Sequence, residues 1–242
     1  SCFKYMSLYS AIQFISVSVL YKKGSNLGDF QFLWIDLFLI LPIAIFMSWS
    51  KPYDYIAKKK PSANLVSSKV LIPMIGNIAT LMLFQISIWL YVQSKPWYIK
   101  PIPAGDDAVQ SSDNTVLFFF SNFQYILIAI ILTQGPPYRE SSIRNIPFVV
   151  DILISIGLSC LLMAAGPESW LGDLMQLTYL PFSFKLLIFV FSVINLVVLW
   201  FGDKYVFLKL NKLYIRWIYG GQRKSKKYFK RLLNLYEDNF MV

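Results

Sequence analysis

Histidine is absent from this 242-residue chain, which removes every His-based nucleophilic triad, His-ligated zinc site and haem ligation. The two cysteines, Cys2 and Cys160, both lie inside apolar runs, so neither a disulfide framework nor a metal cluster can be built from them. No Gly-rich phosphate loop occurs, and no paired carboxylates stand in a soluble stretch, so no catalytic residue and no metal ligand is assigned. Charge is scarce as well: 15% of residues, against about 25% in soluble domains. What the chain has is grease, with 56% hydrophobic residues, 17% aromatic and a mean hydropathy of +0.52. These are the proportions of an integral membrane protein.

Six apolar runs organise it: Phe3–Tyr21, Phe30–Trp49, Val70–Val92, Thr115–Thr133, Ile146–Ala165 and Phe184–Phe201. A bilayer core of about 30 Å needs roughly 20 helical residues. Backbone in lipid must satisfy its own hydrogen bonds, and barrel strands would alternate every second residue, so the runs predict helices. The expected fold is an all-α membrane protein with six transmembrane helices and a basic amphipathic tail. Its division is 1–49, 50–201 and 202–242, the last a cytosolic interfacial segment.

The net charge of +10 is unevenly placed. Loops 50–69 and 135–145 with the tail 202–242 hold 17 Lys and Arg, whereas the alternate loops 22–29, 93–114 and 166–182 hold 4. The positive-inside rule then puts both chain ends in the cytosol. Asp29, Asp106, Asp107, Asp113, Glu168 and Asp173 fall on the other side. Ser1 leads straight into a span without an n-region or cleavage site, so the chain reads as the C-terminal part of a larger membrane protein.

Acids in hydrocarbon are costly and mark function by default. Asp36 is the only acid near the middle of a run. Asp29 precedes it by seven residues, which places the two within about 20° on one helical face and roughly 10.5 Å apart along the axis. Asp29 also suits a helix N-cap, and Asp36 suits a structural hydrogen bond to a neighbouring helix. Tyr5, Tyr9 and Gln13 repeat at four-residue intervals and form a polar stripe on the first helix. Pro42 cannot donate to the carbonyl of Phe38, so the second helix should loosen there. Carboxylate, Tyr and Gln oxygens beside the rings of Tyr9, Phe32 and Trp34 fit an elongated organic cation. Calcium would want six to eight oxygens around one point. Asp151 and Lys185 stand near run ends and read as interfacial; Asn77 and Asn195 read as interhelical hydrogen bonds. In the tail, basic residues interleave with Phe207, Leu210, Tyr214 and Trp217. Directly after a span this pattern predicts a helix on an anionic lipid surface rather than a nucleic-acid partner.

Several stretches carry a resemblance. Phe3-Lys4-Tyr5-Met6-Ser7-Leu8-Tyr9-Ser10-Ala11-Ile12-Gln13 and Gly28-Asp29-Phe30-Gln31-Phe32-Leu33-Trp34-Ile35-Asp36 are similar to the fifth and sixth transmembrane helices of type V P-type ATPases. The match is to the B subgroup, the vacuolar and lysosomal polyamine transporters, and within it to the fungal members. Ser121-Asn122-Phe123-Gln124-Tyr125, Gln134-Gly135-Pro136-Pro137-Tyr138-Arg139, Asn145-Ile146-Pro147-Phe148 and Ser225-Lys226-Lys227-Tyr228-Phe229-Lys230 agree with it. The resemblance implies helices five to ten of a pump that moves polyamines such as spermine from organelle lumen to cytosol. Tyr9, Gln13 and Asp36 would contact the polyamine, and Asp29 would sit near the lumenal mouth. ATP and Mg would be bound by the remaining domains of the same ATPase, because the Asp-Lys-Thr-Gly-Thr phosphorylation motif is not in this chain. A divalent-metal pump of the same family, a self-contained six-helix channel or carrier, and an accessory subunit without transport are the competing expectations.

Overall fold

The computed structural model describes residues 2–54, 67–102, 109–133, 135–136 and 138–218, with the side chains of Arg216 and Ile218 excepted. Asp106, Asp107, Gln134, Pro137 and the tail beyond 218, including Ser225–Lys230, lie outside the described residues. The helices are α1 (Cys2–Tyr21), α2 (Asp29–Leu33), α3 (Leu41–Ser48), α4 (Ser68–Gln93), α5 (Ser112–Leu132), α6 (Ile146–Ala165), α7 (Trp170–Leu174), α8 (Phe182–Phe201) and α9 (Phe207–Ile218). A π-helical turn, Trp34–Ile40, fuses α2 and α3 into one rod, Asp29–Ser48. A second π turn, Gly202–Val206, carries α8 into α9. Among the described residues there is no strand, only an antiparallel bridge between Pro52 and Arg139.

Five rods are long and apolar enough to cross a bilayer: Asp29–Ser48, Ser68–Gln93, Ser112–Leu132, Ile146–Ala165 and Phe182–Ile215. Helix α1 has the length of a span, 20 residues, and packs on α4 and α5, but its Tyr, Ser and Gln residues make it the most polar of the set. Each rod lies within a few residues of its apolar run. The last is the exception: the expected break at residue 202 is not there. The helix instead continues through the π turn, and Phe207 docks where Gly76 of α4 leaves room for it. A Cβ at Gly76 would overlap that ring.

Helix α5 is the axis of the bundle, buried along nearly its whole length and packed by α1, α4, α6 and α8. A helix apolar all round belongs at such a centre. Lipid tails offer no hydrophobic drive for helix association, so packing and polar contacts must hold the rods together. Gln85 of α4 supplies one such node, its amide donating to Gln124 Oε1 (2.8 Å) and Ser16 Oγ (3.0 Å) and so tying α4, α5 and α1. Asn77 makes the expected interhelical bond, donating to Asp203 Oδ1 at 3.3 Å. Asn195 does not: it is fully buried, and neither side-chain atom finds a partner among the described residues. Asp151, near the start of α6, is 8% exposed within the bundle.

At one end of the bundle, Asn114 Nδ2 donates to Asn26 O (3.0 Å) and Thr178 is hydrogen-bonded to Thr115, joining the α1–α2, α5 and α7–α8 connections. At the other, Arg139 donates to Ser50 O (3.1 Å) and Asn145 to Phe46 O (2.7 Å), fastening the α5–α6 connection beneath α3.

Candidate functional site

The site is built on the break in the second rod. Leu41 N–H donates to Asp36 O, five residues back, which is the π pattern. Pro42 has no N–H, so neither the α nor the π ladder gives the carbonyl of Leu37 a donor. Loosening before Pro42 thus takes the form of a widened turn that carries Asp36 and frees one backbone oxygen beside it. Trp34, Ile35, Leu39 and Ile40 anchor the turn in the core, while Asp36, Leu37 and Phe38 face outward from this chain.

Tyr9 of α1 reaches across and donates its hydroxyl to Asp36 Oδ1 at 3.0 Å. Its ring meets Tyr125 of α5 edge-on, centroids 5.9 Å apart, which fixes its aim. Gln13, one turn further along α1, is half-buried and makes no hydrogen bond among the described residues. The rings of Trp34 and Phe38 lie 5.3 Å apart along the turn. The only ion pair among the described residues joins Arg144 to Glu140, so no Lys or Arg neutralises Asp36. An acceptor-rich niche with aromatic faces and no cation of its own can hold a cationic group.

Asp29 stands apart, exposed at the first position of α2. The N-cap is Gly28, not Asp29. Past Trp34 the π turn also breaks the uniform helical phase that put Asp29 and Asp36 on one face. Asp29 instead lines a pocket of about 550 Å³ with Asn26, Asp173 and Gln176. Gln31 shapes that pocket: fully buried, it accepts from Gly28 N–H (3.1 Å) and donates to Met175 O (2.8 Å). Beside it Gln176 takes a left-handed φ of 52°, a conformation costly without glycine and found at sites the surrounding structure over-determines. Asp173, Gln31 and the Leu37 carbonyl were missed in the sequence. Only Pro42 signals any of them, because a span proline removes a predictable donor.

A nearby prop is Tyr98, which donates to Asp113 Oδ2 at 2.6 Å. Burial, then that bond and the carboxylate's charge, hold its phenol well above the ordinary tyrosine range, so it stays a donor through the physiological span.

The chain is thus a multi-pass helical bundle whose second rod opens at an acid within its span, Asp36. The chain belongs to the family described as "Cation transporting ATPase, C-terminus", which it matches over residues 25–204. It is 62% identical over 81% of its length to the vacuolar cation-transporting ATPase YPK9 of Saccharomyces cerevisiae, of which it covers 13%. To the polyamine-transporting ATPase 13A2 of Mus musculus it is 34% identical over 96% of its length, covering 20% of that protein. To the human polyamine-transporting ATPase 13A3 it is 28% identical over 93%, again covering 20%. The chain therefore spans an eighth to a fifth of these relatives.

Proposed function

We propose that this chain is the cargo-side half of the transport domain in an ATP-driven polyamine pump of vacuolar or lysosomal membranes. The observation that carries the reading is the Tyr9–Asp36 hydrogen bond in a helix opened at its π turn. A carboxylate, a phenol oxygen, a freed carbonyl and a half-buried amide oxygen at Gln13 match the repeated N–H donors of an alkyl polyamine. Two named polyamine-transporting relatives support the choice of cargo.

The charge bias supports an orientation with both ends cytosolic. With both ends cytosolic, the 550 Å³ pocket of Asp29 and Asp173 opens to the lumen and gathers polycations at its mouth. Asp36 and Tyr9 then hold an ammonium group in mid-membrane. Residues 1–49 carry the cargo contacts and 50–201 brace them, while ATP and Mg act in domains outside this chain. In the last segment, exposed Leu210, Leu213 and Trp217 beside Lys209 and Lys212 suit an anionic lipid surface.

The test is polyamine-stimulated ATP hydrolysis by the full-length protein. Asp36→Asn exchanges a charged acceptor for a neutral amide, and the half-saturating spermine concentration should rise about thirtyfold. Unchanged affinity removes Asp36 from the site. A divalent-metal pump is the second reading, favoured by the cation-transporting name of the yeast relative. Stimulation by a divalent ion that spermine competes away would establish it.

A further inference from the structure

Helices α4 and α8 pack together, and their seam holds two cavities that nothing described so far uses. One, of about 290 Å³, lies between Ser87, Ile88 and Tyr91 of α4 and Leu187 and Phe191 of α8. The other, of about 390 Å³, lies among Thr80, Val197, Trp200, Gly202, Val206 and Phe207, where the second π turn leads into α9. The hydroxyls in these walls are spent on their own helix. Ser87 donates to Leu83 O (2.7 Å) and Thr80 to Gly76 O (2.9 Å). Both cavities are therefore apolar, and neither asks its occupant for a hydrogen bond.

Each cavity has a lysine at its end. Lys95 places its Nζ 3.8 Å from the centroid of the Tyr91 ring, and Lys204 places its Nζ 4.6 Å from that of Trp200. Tyr91 and Trp200 are thus cavity walls and platforms for ammonium groups at once. Lys95 stands just beyond the last turn of α4 and Lys204 just beyond that of α8. The two spans cross in opposite senses, so the cations mark opposite ends of the seam. Among the described residues neither lysine is in an ion pair, and Asp203, the neighbour of Lys204, accepts from Asn77 instead.

We propose that the seam seats an anionic phospholipid in each leaflet, with an acyl chain in the cavity and the phosphate on the lysine at its end. An apolar slot closed by a cation calls for an amphiphile with a negative head, and at a membrane interface that chemistry is a phospholipid. The ring face attracts the ammonium and aims it, while the ammonium's N–H groups remain donors for a phosphate. A partner's transmembrane helix fits less well. Such interfaces use small residues for close approach, whereas these walls present branched and aromatic side chains that a flexible chain fills more easily. The seat at Lys204 also touches Phe207, so a chain there buttresses the ring that docks at Gly76. The inference is independent of the cargo, and it differs from the surface contact of Lys209 and Lys212, which needs no cavity.

The experiment uses the full-length pump in detergent, analysed by native mass spectrometry after addition of phosphatidylserine or phosphatidylcholine. Phosphoenzyme formation from ATP reports folding. Wild type should retain two phosphatidylserine adducts and bind phosphatidylcholine about tenfold more weakly. Lys204→Gln and Lys95→Gln should each weaken one adduct about tenfold and leave the other intact. Val197→Trp and Ser87→Trp fill the cavities and should each abolish one adduct with both lysines in place. A lysine variant that keeps both adducts overturns the seat it marks, and equal retention of the two lipids overturns the assignment of the head. Loss of an adduct when Lys209 and Lys212 are together replaced by Gln reveals diffuse surface attraction and overturns the seat at Lys204. If a cavity-filling variant forms no phosphoenzyme, the lysine variants decide. A photoreactive residue at Val197 should crosslink lipid in native membranes; a second polypeptide captured there in its place overturns the proposal in favour of a partner helix.

Discussion

A phenol aimed at a carboxylate does two jobs in the resting site: it satisfies one acceptor of Asp36 and keeps the acid turned toward α1. Tyr9→Phe retains the edge-on contact with Tyr125 and deletes only the hydroxyl. A hydrogen bond to a charged group is worth about 1.5–3 kcal/mol, part of which the cargo's own donors replace. Spermine-stimulated turnover should therefore show a half-saturating concentration raised about fivefold at nearly unchanged maximal rate. At the far end, Tyr98→Phe leaves the buried Asp113 short of a donor. Thermal unfolding should show a loss of about 1–3 kcal/mol with cargo affinity intact.

Two π turns at the element scale do work that regular helix would not. In the first, Pro42 makes the widened turn permanent by leaving Leu37's carbonyl undonated. Pro42→Ala returns a donor, and the rod can close into regular helix. The variant should melt higher yet bind spermine more weakly, which calorimetry and stimulated hydrolysis would register together. The second turn delivers Phe207 to Gly76. Gly76→Val drives a branched side chain into that ring, and overpacking of this kind costs about 1–3 kcal/mol. Proteolysis in detergent should cut the variant near residue 207 faster than wild type.

These elements also show what the sequence could and could not tell. Runs of about 20 apolar residues leave lipid-embedded backbone one choice, so the rods were legible to within a few residues. Asp36 stood out as a lone acid, and the four-residue stripe put Tyr9 on a neighbouring surface. The burial of Asp151 was not legible, because distance from a run's end does not determine which way a side chain faces. That depends on the neighbours of α6, and they come from long-range packing. The last apolar run ends at Phe201, but a π turn over Gly202–Val206 carries the helix on. The pocket of Asp29 and Asp173 depended on loop closure through Gln31 and Met175, which no local pattern encodes.

For the molecule as a whole, the 17-to-4 charge bias makes a directional prediction. Single cysteines placed at Asp173 and at Glu140, with Cys2 and Cys160 replaced, should be labelled by an impermeant maleimide from opposite faces of sealed vesicles. Labelling of both from one face would invert or undo the topology on which the lumen-to-cytosol direction rests.

Helix α5 touches lipid almost nowhere and is gripped from every side by α1, α4, α6 and α8. A rod enclosed in this way has little freedom to tilt or roll, so any cargo-driven displacement must be taken up by the pieces that border it on one flank. It acts as a rail. A disulfide locking α5 to α8 should leave pumping untouched, whereas one locking α5 to α1 should stall the cycle and be released by reductant.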